Sequence, residues 1–253
     1  MNPALIKVFD FLPDWGWAAL VAPFAGSTMG VLARRLPAGR NVMVARSACD
    51  SCGAALGPHE LVPLLSYAVQ GGRCRHCRAP IGLFHPAMEL AAIVIALWAG
   101  TVFTGGTLWA SCALGWMLLA LAVCDWENFR LPDALTLPLL LLGLAATWWL
   151  WPEAVTDRAV AATLGYLAFR GVAWLYRRLR KRDGLGAGDA KLLAASGAWL
   201  GVSVLPRVVL LAALIGLVLA AAIALRRRRV STRMMIPFGP CLALATWLLW
   251  LYD

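Results

Sequence analysis

Apolar runs long enough to cross a lipid bilayer recur along the whole chain. A transmembrane helix needs about 17–25 apolar residues, and eight runs approach or meet that length. Charged residues make up only 14% of the chain, against about 25% in soluble domains. We therefore predict an all-α polytopic membrane protein with about eight transmembrane helices, of which the sixth is the shortest. The predicted spans are residues 15–33, 87–104, 107–124, 134–151, 158–176, 190–205, 207–225 and 236–252.

The net charge of +10 is spread unevenly over the two sides that eight spans define. Four loops that fall on one side hold 18 of the 23 lysines and arginines. Because basic loops are retained in the cytoplasm, we predict that these loops are cytoplasmic and that both termini lie outside. The basic run at residues 226–229 would face anionic lipid. The charge thus predicts orientation, and nucleic-acid binding is disfavoured. The basic loops are residues 34–86, 125–133, 177–189 and 226–235.

Residues 34–86 interrupt the apolar pattern and form the only predicted loop large enough for a small domain. The loop carries two C-x2-C pairs separated by 21 residues, a spacing close to that of zinc ribbons. Each pair offers two thiolates on one turn, and two pairs complete a tetrahedral site. We therefore predict a structural zinc ion, with disulfide or redox roles as the alternatives. The four cysteines are Cys49, Cys52, Cys74 and Cys77.

Two histidines near the cysteine pairs, and the three cysteines outside those pairs, are expected to have structural roles only. Four thiolates already close a zinc site, so we expect His59 and His76 to be bystanders. Cys112, Cys124 and Cys241 lie in or beside apolar spans. In such surroundings cysteine behaves as a small buried apolar residue, and we predict that role for all three.

Two aspartates stand at span ends on the predicted cytoplasmic side. Asp125 ends the third apolar run, where the helix dipole disfavours an anion; the alternative is that the helix has already ended and the side chain is solvated. Asp189 follows the sequence GLGAG and opens the sixth span, where an aspartate also serves as an ordinary N-cap. The three glycines exceed what a cap needs. They would let the backbone bend and approach another chain closely.

Residues around these aspartates have simpler interpretations. Asp133 follows Pro132 at the start of the fourth span, and both residue types suit the first turn of a helix. Lys191 is expected to extend its amine to the membrane interface. Gly186 and Gly188 are expected to give a substrate backbone close access to Asp189, since an added strand needs an exposed backbone to pair with.

If spans three and six pack together, Asp125 and Asp189 can share one proton. Two carboxylates a few ångströms apart do not both ionise readily, which leaves one acid and one base. The base would activate water for attack on a peptide carbonyl, and the acid would protonate the carbonyl oxygen. The same pair could instead relay protons in a transporter, so the carboxylates alone leave both hypotheses open.

Five motifs line up, in order, with one family, and the chain resembles the bacterial type IV prepilin peptidases, which are GxGD-type membrane aspartic proteases. The resemblance covers nearly the whole chain. The sequence departs from the family pattern at Thr28, Met29 and Gly30, whereas both aspartate motifs are intact. The motifs are FAGSTMGVLARRLP, SACDSC with GGRCRHCRAPIG, CDWENFRLPD, GAGDAKLLAASGAWLG and IPFGPCLALA.

This resemblance implies that Asp125 and Asp189 are catalytic and that Asp133 is an accessory position. It implies cleavage of a short basic leader, after a glycine, from prepilins or from pseudopilins of type II secretion. The enzyme would reside in the bacterial inner membrane, with the active site facing the cytoplasm.

The resemblance also implies that the cysteine-bearing domain methylates the new N-terminal amine with S-adenosyl-L-methionine as the methyl donor. Glu89, at the start of the second span, could serve that reaction. The alternative for Glu89 is an interfacial acid beside Arg73 or Arg75.

The predicted domains are a first span at residues 1–33, a cytoplasmic four-cysteine domain at 34–86 that would carry methyl transfer, and an aspartic peptidase domain at 87–253. Two rival functions stay open. One is a proton-coupled transporter that uses Asp125 and Asp189 as proton carriers, which predicts a water path to the other side of the membrane. The other is a non-catalytic scaffold whose zinc domain docks a secretion ATPase.

Overall fold

The computed structural model describes residues 12–40, 47–49, 51–181, 186–227 and 236–253. Within these residues the regular secondary structure is helical, and two isolated β-bridges join Ala48 to Ala55 and Arg73 to Pro80. The predicted all-α architecture is confirmed. The long helices are α1 Asp14–Arg35, α2 Phe84–Gly100, α3 Gly105–Asn128, α4 Asp133–Leu150, α5 Val155–Arg180, α6 Ala187–Leu200, α7 Leu205–Arg227 and α8 Gly239–Tyr252.

Five of the long helices, α1, α3, α4, α5 and α7, are long and apolar enough to cross a membrane, and α2 and α8 are shorter apolar helices. The sixth helix, α6, has 14 residues, which corresponds to about 21 Å at 1.5 Å per residue. Ten of those residues are buried, as expected for a helix that is apolar all round and lies inside a bundle. The chain is therefore a multi-pass membrane protein with one short interior helix.

The chain divides into two compact units, Met1–Trp116 and Met117–Asp253, and α3 continues from one to the other. In the first unit α1 packs along α2. A Cβ atom added at Gly26 would lie 2.6 Å from the carbonyl oxygen of Met88, so the two helix backbones are in contact, as small residues permit in membranes. The Trp116 indole donates a hydrogen bond to the Ala92 carbonyl (3.0 Å), which joins α3 to α2.

In the second unit α6 packs against α4, α5, α7 and α8. A Cβ atom added at Gly197 would lie 2.6 Å from the Ala161 backbone, which brings α6 and α5 into close contact. Trp199 donates from Nε1 to the Leu139 carbonyl of α4 (2.9 Å), and Ser196 Oγ lies 2.7 Å from Thr246 Oγ1 of α8. These contacts fix α6, and with it the aspartate in its first turn.

The segment between α1 and α2 contains a 3-10 turn at Pro58–Glu60 and a five-residue helix at Leu65–Val69. The cysteine pairs flank these short elements in sequence. Such a segment has little apolar core of its own, so a bound metal would contribute to its folding.

Candidate active site and metal centre

Asp125 lies in the last turn of α3, which continues to Asn128. Its side chain is buried, with 6% of the residue exposed, so the alternative of a solvated residue beyond the helix end is wrong. The Asp125 Oδ2 atom accepts a hydrogen bond from the backbone N–H of Gly239 (2.8 Å). Because Gly239 is the first residue of α8, the positive end of a second helix compensates the unfavourable end of the first.

Asp189 lies in the first turn of α6 and is 9% exposed. The N-cap position itself is occupied by Gly186, so Asp189 is not the N-cap residue that the sequence allowed as an alternative. Its Oδ2 atom instead accepts a hydrogen bond from the backbone N–H of Gly186 (3.1 Å). The carboxylate reaches back to the helix start, as an acidic N3 residue does in a capping box.

Asp125 and Asp189 are both buried residues of the second unit. Asp125, in the last turn of α3, meets the start of α8 through Gly239, and α8 packs against α6, whose first turn carries Asp189. Each carboxylate is oriented by one backbone N–H, from Gly239 and Gly186 respectively. Two oriented carboxyl groups in low-dielectric surroundings can act together as an acid and a base.

Gly239 is a site residue that the sequence analysis did not single out. It belongs to the IPFGP segment before the last apolar run, and its contact with Asp125 joins residues 114 positions apart. Two prolines that flank a Phe-Gly pair mark a helix start. That signal predicts where α8 begins, but it does not predict that Gly239 contacts Asp125.

Asp133 and Lys191 form an ion pair in which Lys191 Nζ lies 2.5 Å from Asp133 Oδ1. Asp133 is the first residue of α4, in agreement with the helix-start interpretation. The Lys191 side chain is 29% exposed and that of Asp133 is 58% exposed. Lys191, which follows Asp189 by two positions, was expected to extend its amine to the membrane interface. Its amine instead contacts Asp133 of the neighbouring helix α4.

Gly188 borders the loop before α4. A Cβ atom added at Gly188 would lie 2.8 Å from the Cβ atom of Leu131, a separation that real Cβ atoms essentially never show. The space beside Gly188 is thus filled by Leu131, whereas we had expected a substrate backbone there. A Cβ atom at Gly186 would lie 3.0 Å from Asp189 Oδ2. Gly184, the first of the three glycines before Asp189 and expected only to give the backbone slack, lies outside the described residues.

The two cysteine pairs lie on turns with the same hydrogen-bond pattern. Cys49 N–H donates to the Ala54 carbonyl and its own carbonyl accepts from Gly53 N–H, both at 2.9 Å. Cys74 makes the equivalent bonds with Ala79 and Arg78, also at 2.9 Å. The fourth residue after each first cysteine has positive φ, 70° at Gly53 and 56° at Arg78. Each turn thereby presents its two sulfur atoms to one side.

The four sulfur atoms fit a tetrahedral metal ion. Cys49, Cys52, Cys74 and Cys77 each place Sγ within 4.8 Å of the others, and the Cys49 and Cys77 sulfurs are 3.9 Å apart. Zn–S bonds of about 2.3 Å imply S···S separations of about 3.8 Å. The donor set therefore suits zinc.

Among the described residues the metal-ligand cluster consists of the four cysteines alone, without His59 or His76. His59 Nε2 lies 2.8 Å from Arg75 Nη1, which gives that histidine a partner outside the cluster. Cys112, Cys124 and Cys241 are buried in helices, as expected of small apolar residues.

Glu89 is a buried residue of α2, 5% exposed. Its Oε2 atom accepts a hydrogen bond from the backbone N–H of Leu64 (2.8 Å). Leu64 has φ of 58°, a conformation that costs about 1–3 kcal/mol for a residue with a side chain. Glu89 thus holds a strained turn of the cysteine segment, an interaction that neither sequence interpretation of Glu89 included.

Comparison with known protein families gives two matches. Residues 112–221 match the Type IV leader peptidase family, and residues 20–103 match the Bacterial Peptidase A24 N-terminal domain. Both aspartates fall in the first matched range, and the four cysteines and Glu89 fall in the second. Gly239 lies beyond the residues that match. No solved structure matches the chain.

Curated relatives extend over most of the chain. A prepilin leader peptidase/N-methyltransferase of Burkholderia pseudomallei (strain 1026b) is 43% identical over 228 residues, 90% of this chain and 73% of that protein. The protein of the same name from Pseudomonas aeruginosa is 41% identical over 215 residues, 83% of this chain and 73% of the relative. The protein of that name from Dichelobacter nodosus is 35% identical over 214 residues, which is 84% of this chain and 73% of the relative.

Proposed function

This chain belongs to the type IV leader peptidase family, and on that premise we propose that it is a bifunctional membrane enzyme. It cleaves the leader from type IV prepilins or pseudopilins and then methylates the new N-terminal amine. The observation that carries the peptidase activity is the pair of buried carboxylates, Asp125 and Asp189, oriented within one unit. The relatives give no support to the transporter or to the scaffold.

In the proposed cleavage Asp125 and Asp189 share one proton. The ionised carboxylate takes a proton from water, and the resulting hydroxide attacks the carbonyl carbon of the scissile bond. The protonated carboxyl group gives its proton to the carbonyl oxygen, which forms a neutral tetrahedral diol. When the diol collapses and the C–N bond breaks, one carboxyl group donates a proton to the departing amine while the other carboxylate takes the proton of a diol hydroxyl. The pair again holds one proton, and the products are a carboxylic acid and an amine.

The buried position of both aspartates supports this mechanism for a physical reason. Exclusion of water strengthens the interactions between the carboxyl groups and the developing charge on the substrate. The two backbone donors, Gly239 and Gly186, hold the carboxylates without rearrangement during the reaction. Asp133 and Lys191 are accessory in this proposal, because their ion pair joins the start of α4 to the turn of α6 that carries Asp189.

Methyl transfer is assigned in this proposal to the four-cysteine domain at residues 34–86, with peptide cleavage assigned to residues 87–253. Cys49, Cys52, Cys74 and Cys77 would hold a zinc ion that gives this small domain its folding energy. S-adenosyl-L-methionine would supply the methyl group. Glu89 supports the domain through its bond to Leu64.

The proposed location is the bacterial inner membrane, with the cleavage site on the cytoplasmic side. The excess of lysine and arginine on one set of loops supports this orientation, since positively charged loops remain in the cytoplasm. A leader with basic residues would then be cut on the side of the membrane where it is made.

The direct experiment is incubation of the purified protein, in detergent, with a synthetic prepilin peptide and S-adenosyl-L-methionine. Mass spectrometry of the products should show loss of the leader and addition of one methyl group to the new N-terminus. An uncut peptide would contradict the peptidase function. A cut peptide without the methyl group would contradict methyl transfer while leaving cleavage intact.

A further inference from the structure

The carboxylate of Asp125 depends on a distant part of the chain for its position. Its hydrogen-bond donor, Gly239, is 114 residues away and is the first residue of α8. Asp189 is held locally, by Gly186 only three residues before it. The geometry of the proposed catalytic pair therefore depends on how α8 packs, because a shift of α8 would move the donor of one aspartate and leave that of the other in place.

Gly239 meets Asp125 sterically as well as by hydrogen bonding. A Cβ atom added at Gly239 would lie 2.7 Å from Asp125 Oδ2 and 2.9 Å from its Cβ and Cγ atoms. Real Cβ atoms essentially never approach other heavy atoms this closely. A side chain at residue 239 would force the Asp125 carboxylate and the start of α8 apart.

The packing of α8 against α6 sets the position of Gly239 along the helix axis relative to Asp189. Ser196 Oγ and Thr246 Oγ1 are 2.7 Å apart and fully buried. Ser196 follows Asp189 by seven residues, and Thr246 follows Gly239 by seven residues. Seven residues are about 10.5 Å of helix, so Asp189 and Gly239 lie at the same distance along their helices from this hydrogen bond.

A second contact farther along the two helices agrees with this register to within one residue. The rings of Trp199 and Trp250 are 5.3 Å apart and nearly perpendicular. These residues follow Asp189 and Gly239 by ten and eleven positions. The two contacts together place α6 and α8 side by side, with Asp189 and Gly239 at about the same level.

We propose that α8 is the positioning element for Asp125: the Gly239 N–H holds the carboxylate, and the bond between Ser196 and Thr246 keeps Gly239 level with Asp189. Gly239 and Thr246 are positioning residues that act through the aspartates. This inference rests on the proposed peptidase function and adds to it residues beyond the matched family range. It assigns to the last helix a role in the chemistry as well as in membrane anchoring.

The first test compares Gly239→Ala with Gly171→Ala, a helical position with nothing within 4 Å of an added Cβ atom. We expect Gly239→Ala to lower the kcat of prepilin cleavage about 100-fold, as a small misplacement of a catalytic group can, with KM unchanged. Methylation of an already cleaved peptide should persist and would show that the variant is folded. Gly171→Ala should cleave normally. A normal kcat in Gly239→Ala would overturn the proposal.

If Gly239→Ala folds poorly, the same substitution is made in a chain that also carries Asp125→Gly, and the melting temperatures are compared. Loss of the Asp125 side chain removes the three heavy atoms that lie nearest to the added methyl group. We therefore expect Gly239→Ala to lower the melting temperature in the wild-type background and to leave it unchanged in the Asp125→Gly background. An equal loss in both backgrounds would overturn the proposal, because the contact with Asp125 would then not be the cause.

The third variant, Thr246→Val, preserves volume and removes the hydroxyl group. Its control is Thr163→Val, an exposed helical threonine that bonds its own helix. We expect Thr246→Val to reduce kcat several-fold with KM unchanged, and Thr163→Val to match wild type. Equal kcat values in the two variants would show that the hydrogen bond between Ser196 and Thr246 does not keep Gly239 in position, and would overturn that part of the proposal.

Asp125→Asn, measured beside these variants, distinguishes failure of the proposed peptidase mechanism from failure of the positioning role of α8. If Asp125→Asn cleaves normally, the proposed peptidase mechanism fails, whatever Gly239→Ala does. If Asp125→Asn is inactive and Gly239→Ala is normal, the mechanism stands and the positioning role of α8 is wrong.

Discussion

Lys191 of α6 and Asp133 of α4 are joined by an ion pair, with Nζ and Oδ1 2.5 Å apart. Asp133 is the first residue of its helix, and Lys191 follows Asp189 by two positions. The pair therefore ties the start of α4 to the turn that carries one proposed catalytic carboxylate. Since both side chains are partly exposed, we expect it to align the two helices and to contribute little to global stability.

Loss of this ion pair should slow cleavage modestly. Partly exposed pairs contribute at most about 1 kcal/mol, which corresponds to about a fivefold change in rate. We expect Asp133→Asn and Lys191→Met each to lower kcat by about that factor. The double charge reversal, Asp133→Lys with Lys191→Asp, should be more active than either reversal alone. A complete loss of activity in Asp133→Asn, with stable protein, would instead place Asp133 among the catalytic groups.

The four cysteines should hold one zinc ion per chain. Elemental analysis of the purified protein should find that ion in wild type and in the control Cys112→Ala, and should find none in Cys74→Ser. Methylation should fail in Cys74→Ser before cleavage does, because the proposed catalytic aspartates lie in the other unit of the chain. Equal zinc in Cys74→Ser and wild type would refute the site.

Glu89 should stabilise the cysteine segment rather than act on a substrate. Removal of the acceptor of a buried N–H group costs about 1–3 kcal/mol, so Glu89→Ala should expose residues 61–70 to faster amide hydrogen exchange and reduce methylation. Glu89→Gln retains an oxygen acceptor and should lose much less. Exposed Glu153→Ala is the control. Unchanged exchange at Leu64 in Glu89→Ala would contradict this role.

Gly188 should be required because of Leu131. In Gly188→Ala the added methyl group would push Leu131, and with it the start of α4, away from α6. Cleavage should fall, and Leu131→Gly should restore it in the double variant by removing the atoms that clash. If the double variant is folded but inactive, the space beside Gly188 serves the substrate backbone instead. Normal cleavage by Gly188→Val would refute both explanations.

Much of the fold was predictable because membrane helices are marked by composition. Each of the eight apolar runs contains a helix, with ends that differ by a few residues from the predicted ones. The sixth run was the shortest, and the structure gives the reason: α6 is enclosed by neighbouring helices and need not match the bilayer alone. The metal cluster was equally predictable, since two local turns bring the four sulfur atoms together.

The interactions that complete the candidate site were not predictable, because they join residues far apart in sequence. Asp125 looked misplaced at a helix end until the start of α8 was found beside it. Lys191 was expected to reach the membrane interface because nothing local indicated Asp133, 58 residues away, as its partner. The glycine at 188 looked like a hinge, since its contact with Leu131 exists only once α4 and α6 are packed.

The most direct test of the account is cleavage by Asp125→Asn and Asp189→Asn, each with methylation of an already cleaved peptide measured on the same preparation. A carboxamide can serve neither as the acid nor as the base. We predict that both variants leave the prepilin peptide uncut while they methylate the cleaved peptide at the wild-type rate. Substantial leader removal by either variant would contradict the central claim that these two aspartates perform the cleavage.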